Sequence, residues 1–198
     1  MTATGSAARG DEGLTLREAR ERYFAGSGFP PGGGYDAHWV KVQLGPIPFA
    51  FPNTAARVRA VRFHDLHHVV TGYATDLVGE AEIAAWEIAT GCADFGAAWL
   101  LNLQALGLGL LRAPGASFRA FVRGRRTRNL YRRRFDDALL AARVGELRAE
   151  LGLAAAPAPA TQADRIAFAA WSAAALLVFA ATAVLLTAPL WLGVRALL

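Results

Sequence analysis

Cysteine is almost absent from this chain of 198 residues, which has one, Cys92. An intrachain disulfide is excluded, and with no Cys-x-x-Cys pair so is a cysteine-held zinc; this usage reads as a reducing compartment. Histidine is scarce too, with His38, His64, His67 and His68 the full set of 4. Membrane desaturases and hydroxylases need about eight around two irons, so their histidine boxes are ruled out. An H-D phosphohydrolase is disfavoured, because no upstream histidine sits in a helical setting. Met1 to Gly13 has no apolar core segment and cannot act as a secretory signal. That stretch is expected to be disordered and the main domain to stay cytoplasmic. The basic residues come with no nucleic-acid-reading motif, so no nucleic-acid partner is expected.

Apolar residues, by contrast, are plentiful at 54%, and the excess gathers at the C-terminus. From Ile166 to Val194 a run of 29 residues carries no charge. A helix crosses a bilayer with roughly 20. Trp171 and Trp191 lie near its two ends, where indoles favour the interface, and Arg165 and Arg195 bound it. Residues 164–198 therefore read as a single-pass tail anchor, with Pro189 expected to end its regular helix. Residues 154–163, with Pro157 and Pro159, read as a semi-rigid Pro/Ala linker. The net charge of +5 comes largely from arginines between Arg112 and Arg134. Such a patch suits anionic headgroups or is simply a solvated face.

Residues 14–153 read as one compact all-α domain, with room for a small N-terminal β-hairpin. Thr15-Leu16-Arg17-Glu18 is a capping box opening a helix to about Ala25. Trp39 to Phe51 alternates around a Gly45-Pro46 turn, the hairpin signal. Asn53 or Thr54 can cap a helix that stops near Gly72. Further helices are expected over Leu77 to Thr90, over Phe95 to Leu111, from Ser117 through the arginines, and from Asp136 or Asp137 to Gly152.

On the second of these helices His64 and His68 stand one turn apart and leave the same face, with Asp65 on its flank. Two imidazoles and a carboxylate make most of a coordination set for zinc or a similar divalent ion. Glu80 can return from the next helix as the fourth ligand, and Glu87, two turns on, can support the ligands or carry a proton. The plainer alternative is a polar helix face whose three histidines are satisfied by solvent.

The run His64-Asp65-x-x-His68, eleven residues, then Glu80, with Gly79 before it and Trp86-Glu87 after, resembles the H-D-x-x-H-(x)11-E signature of the Coq-four family of ubiquinone (coenzyme Q) biosynthesis. The likeness continues through Gly124 and Leu130-Tyr131 to Glu146-Leu147-Arg148-Ala149-Glu150-Leu151-Gly152. The resemblance implies metal ligands at His64, Asp65, His68 and Glu80, with His67 outside the motif. It also implies a metal, zinc foremost with a redox metal as the alternative. The implied reaction removes the ring carboxylate of a polyprenylated hydroxybenzoate at a membrane, with Glu80 or Glu87 moving the proton. A homo-oligomer and contacts with other quinone-biosynthesis enzymes would follow, and a non-catalytic lipid-binding scaffold for those enzymes is the alternative. The chain departs from the family pattern before Asn53, in its shortened Phe135-Asp136-Asp137 stretch, and in the extra C-terminal apolar segment.

Overall fold

The structure is a computed structural model that describes residues 10–44 and 47–197. It is mostly helical, with eight helices among the described residues and one small antiparallel sheet. The all-α reading with a hairpin is therefore what the chain adopts. Within the stretch expected to be disordered, the Glu12 carbonyl accepts from Gly145 N–H, next to the bond from Val144 N–H to the Leu14 carbonyl. Residues 1–9 of the stretch expected to be disordered lie outside the described residues.

Helix α1 (Leu16–Ser27) opens on the full Thr15/Glu18 capping box and exits through Gly28 at φ 74°. Strands β1 (Trp39–Leu44) and β2 (Ile47–Pro52) pair with Val40 opposite Phe51. The expected Gly45-Pro46 turn lies outside the described residues. Of the two candidate caps for α2 (Ala55–Thr71), Thr54 does the capping, accepting from Arg57 N–H. Asn53 instead donates to the Tyr35 and Ala37 carbonyls and so ties the preceding loop to the helix. Helix α2 stops at Gly72, in the left-handed conformation at φ 77°.

Helix α3 (Leu77–Thr90), capped by Asp76, is buried at eight of its 14 positions, including Trp86. Helices α4 (Gly96–Arg112) and α5 (Pro114–Gly124) pack on it through glycines. A Cβ on Gly124 would stand 2.7 Å from the Trp86 carbonyl oxygen, and one on Gly109 2.4 Å from Ala81 Cβ. The backbones approach this closely because neither residue has a side chain.

Helix α5 starts at Pro114, not at Ser117. Proline fits the first helical position because its missing N–H is an orphan there in any case, and Ser117 Oγ turns back to the Ala113 carbonyl. The helix ends at Gly124, so most of the arginine run is loop. Its side chains largely tie loops down: Arg123 donates to the Thr71 carbonyl, Arg126 to those of Val122 and Pro159, and Arg128 to that of Glu150. The expected final helix is broken in two, α6 (Asp137–Ala141) and α7 (Val144–Glu150), because the Ala142 carbonyl pairs with Leu16 N–H instead of continuing a helix.

Helix α8 (Gln162–Leu197) is continuous and runs through Pro189, which costs it one intrahelical bond rather than ending it. One window of it, Gln162–Leu185, is long and apolar enough to cross a membrane. It does not hang free behind the linker. Asp164 accepts from Arg125 Nε at 2.8 Å and from Arg126 at 2.7 Å, Trp171 stacks on Trp99 at 5.3 Å, and Ala175 is wholly buried.

Candidate metal centre

One helical turn separates His64 from His68, so α2 presents both rings on one side. Their Nε2 atoms lie 3.2 Å apart. Glu80, in the first turn of α3, sets one carboxylate oxygen 3.4 Å from His64 Nε2 and the other 3.3 Å from His68 Nε2. All three donors fall within 4.8 Å of one another, and this is the one such group among the described residues. A tetrahedral ion with bonds of about 2.0–2.1 Å holds its ligand atoms about 3.3 Å apart. The two imidazole nitrogens match that spacing, and the two oxygens of Glu80 lie one against each of them.

Hydrogen bonding on the far side of each ring decides what the Nε2 atoms can do. His64 Nδ1–H donates to Glu87 Oε1 at 3.0 Å, and His68 Nδ1–H donates to the Tyr73 carbonyl at 3.0 Å. With both rings neutral, both Nε2 atoms carry a lone pair, and the lone pairs face each other. Only a shared proton or a cation makes that arrangement favourable, and a carboxylate or carbonyl behind each imidazole is the usual support of a metal-binding histidine. Tyr23 from α1 stacks on His68 at 5.4 Å and limits its rotation.

Glu87 is wholly buried and holds the centre together. Its Oε1 accepts from His64 and from His67 Nδ1 at 2.7 Å, and its Oε2 accepts from Asn102 and from the Tyr131 hydroxyl, each at 2.6 Å. Burial alone would favour its neutral form, but His64 and His67 outweigh that and hold it well below the usual carboxylate range. Burial likewise opposes charge on His64, yet Glu87 and Glu80 raise it well above the usual imidazole range. Glu80 is also part-buried, and its bonds to His64 and His68 bring it down to about 2. Both carboxylates are thus ionised near neutrality, whereas His64 without an ion is protonated there and gives up that proton when it ligates.

The four expected ligands are not all brought together. His64, His68 and Glu80 converge, while Asp65 lies outside that group and accepts from the Tyr35 hydroxyl at 2.6 Å. Burial, offset in part by His64, raises its carboxyl above the ordinary value. Glu87 has the supporting place; its oxygens are saturated with hydrogen bonds. His67, set outside the motif and described as satisfied by solvent in the plainer alternative, is fully buried. It bridges Glu87 to the backbone, accepting from Leu130 N–H through Nε2 at 3.0 Å. Burial pushes its pKa down and keeps it neutral. Tyr23, Tyr35, Asn102 and Tyr131 were not singled out in the sequence as site residues. A usable signal existed for Asn102, an amide in an otherwise nearly apolar helix.

Beside the donors lies a cavity of about 460 Å³, bounded by His64, Asp65 and Glu80 on one side and by Phe29, Phe51, Ala98, Leu101 and Ala105 elsewhere. Arg57 also lines it. Its guanidinium lies over the Phe51 ring at 5.5 Å, and its Nε is buried without a hydrogen-bond partner.

No family model matches the chain, and neither the curated proteins nor the solved structures contain a significant match to it.

Proposed function

We propose that this protein is a membrane-associated, metal-dependent decarboxylase of a prenylated aromatic acid, acting in quinone biosynthesis as the Coq-four resemblance implies. The observation that carries this reading is the cavity: two of the three donors, His64 and Glu80, border a partly apolar space instead of being closed in by protein on every side. A purely structural site would be closed by a fourth protein ligand, whereas a catalytic one keeps a position open.

When bound by His64, His68 and Glu80, a divalent ion, zinc foremost, would supply a positive charge that stabilises the electron density left as carbon dioxide departs. The chain's own residues do the rest. Arg57 offers a cation to the carboxylate or phenolate of the ring. Phe29, Phe51 and Leu101 exclude water from the aromatic body and the start of its isoprenoid tail. Loss of carbon dioxide leaves an electron pair on the ring carbon, and a proton quenches it, so that hydrogen stands where the carboxylate was. Glu87, its oxygens occupied by four donors, and Glu80, ionised and engaged as a ligand, hold no proton to give, so that proton comes from solvent.

The experiment is a lipid extract. Cells lacking the protein accumulate the ring-carboxylated intermediate, the wild-type chain clears it, and Glu80→Gln does not. Full quinone recovery with Glu80→Gln protein that holds no metal would replace the decarboxylase with a scaffold.

A further inference from the structure

We infer that helix α4 is itself immersed in the hydrocarbon of the bilayer beside α8, so that the cavity opens sideways to lipid rather than to water. This rests on the membrane half of the proposed function, that α8 crosses a bilayer, and not on its metal chemistry.

Trp99, Gly107 and Gln104 of α4 meet Trp171, Phe179 and Thr182 of α8, so α4 lies across that stretch of the helix. At 1.5 Å per residue, Trp171 and Thr182 lie about 14 Å and about 30 Å along α8 from Gln162, inside a hydrocarbon layer of about 30 Å when that helix is somewhat tilted. Whatever packs against that stretch shares its depth.

Side chains agree with the placement. Gln104 Nε2 donates to Thr182 Oγ1, so the polar groups at this interface satisfy each other, as lipid surroundings require. The close approach at Gly107, where a Cβ would stand 2.8 Å from Phe179 Cβ, is of the small-residue kind that holds membrane helices together. On the outer face of α4, Leu100 and Leu111 are 53% and 64% exposed, and they continue the apolar surface of α8 at Leu177, 72% exposed. At the shallow end, Arg165 lies over Phe118 at 5.6 Å with exposed Arg119 adjacent in sequence, cations suited to anionic headgroups. Leu101 is both part-exposed on α4 and a wall of the cavity. A lipid-dissolved ligand can therefore pass α4 and reach His64 and Glu80 without entering water.

Nitroxide labels test this on the full chain in vesicles of phosphatidylcholine and phosphatidylglycerol. Cysteines replace Leu100, Leu111 or Leu177, with exposed Ala149→Cys as the aqueous reference; buried Cys92 stays unlabelled. All four positions are exposed, so the substitutions remove no core contact. The expected result is a ratio of oxygen to nickel-complex accessibility several-fold higher at Leu100, Leu111 and Leu177 than at Ala149. If Leu177 reports lipid while Leu100 and Leu111 match Ala149, the inference is overturned and the anchor stands. If all three match Ala149, the membrane reading itself is lost and the inference with it. Leu100 and Leu111 shielded from both reagents would mean that protein, such as a second copy of the chain, covers the face, which also overturns it.

Discussion

His67 Nδ1 lies 2.7 Å from Glu87 Oε1, and neither side chain is exposed to solvent. The pair joins α2 to α3, and through Asn102 and Tyr131 it reaches α4 and the loop after α5. Replacing Glu87 with glutamine puts an amide where two histidine donors need an acceptor. Glu87→Gln is expected to lower stability by about 2–4 kcal/mol and metal affinity by roughly 10–100-fold. Urea denaturation and competitive metal titration read the two effects separately.

His67→Ala is expected to keep metal stoichiometry, counted per folded molecule, while lowering the melting temperature. The reason is that its nitrogens face Glu87 and the Leu130 amide rather than Glu80. His64→Ala and His68→Ala reverse that pattern, losing metal. Desalted protein measured for both metal and helicity separates the cases, and equal metal loss in all three contradicts the geometry.

Asp65→Asn tests the ligand that resemblance implies and the hydrogen bonding disfavours. With its carboxylate turned to Tyr35, the substitution is expected to leave one ion per chain and change affinity by less than about tenfold. Loss of metal equal to that of His68→Ala would return Asp65 to the ligand set.

Gly124→Ala forces a methyl to within 2.7 Å of the Trp86 carbonyl oxygen and of Ala89 Cβ. Helices α3 and α5 must part, with a cost of about 1–3 kcal/mol. Thermal unfolding should show this with metal content unchanged, because Glu80 lies at the other end of α3.

A chain cut after Gly152 loses the Asp164 ion pairs and uncovers Trp99 and Gly107, whereas a cut after Leu185 keeps both contacts. The shorter product is expected to aggregate or to unfold at lower temperature, and the longer one to keep the domain's stability. Equal behaviour in detergent would show that α8 adds nothing to the domain.

Much of this architecture was legible locally. The Thr15 capping box, the Gly72 exit, the hairpin alternation and the pairing of His64 with His68 each depend on residues within a few positions of one another. What the sequence concealed depends on distant partners. The burial of His67 follows from Glu87 and Leu130, the diversion of Asp65 from Tyr35, and the break between α6 and α7 from Leu16. Similarly, the linker suggested an independent tail, and only the Trp99–Trp171 and Asp164 contacts reveal that α8 is docked. Periodicity reports which face of a helix is apolar, not which neighbour covers it.

His64, His68 and Glu80 are expected to act as one metal site. Calorimetric titration of the metal-free full chain with zinc addresses it most directly. One ion per chain is expected to bind, with binding abolished in His64→Ala and in His68→Ala and weakened in Glu80→Gln. Absence of binding to the wild-type chain, or unchanged binding in His64→Ala protein that remains folded, would contradict it.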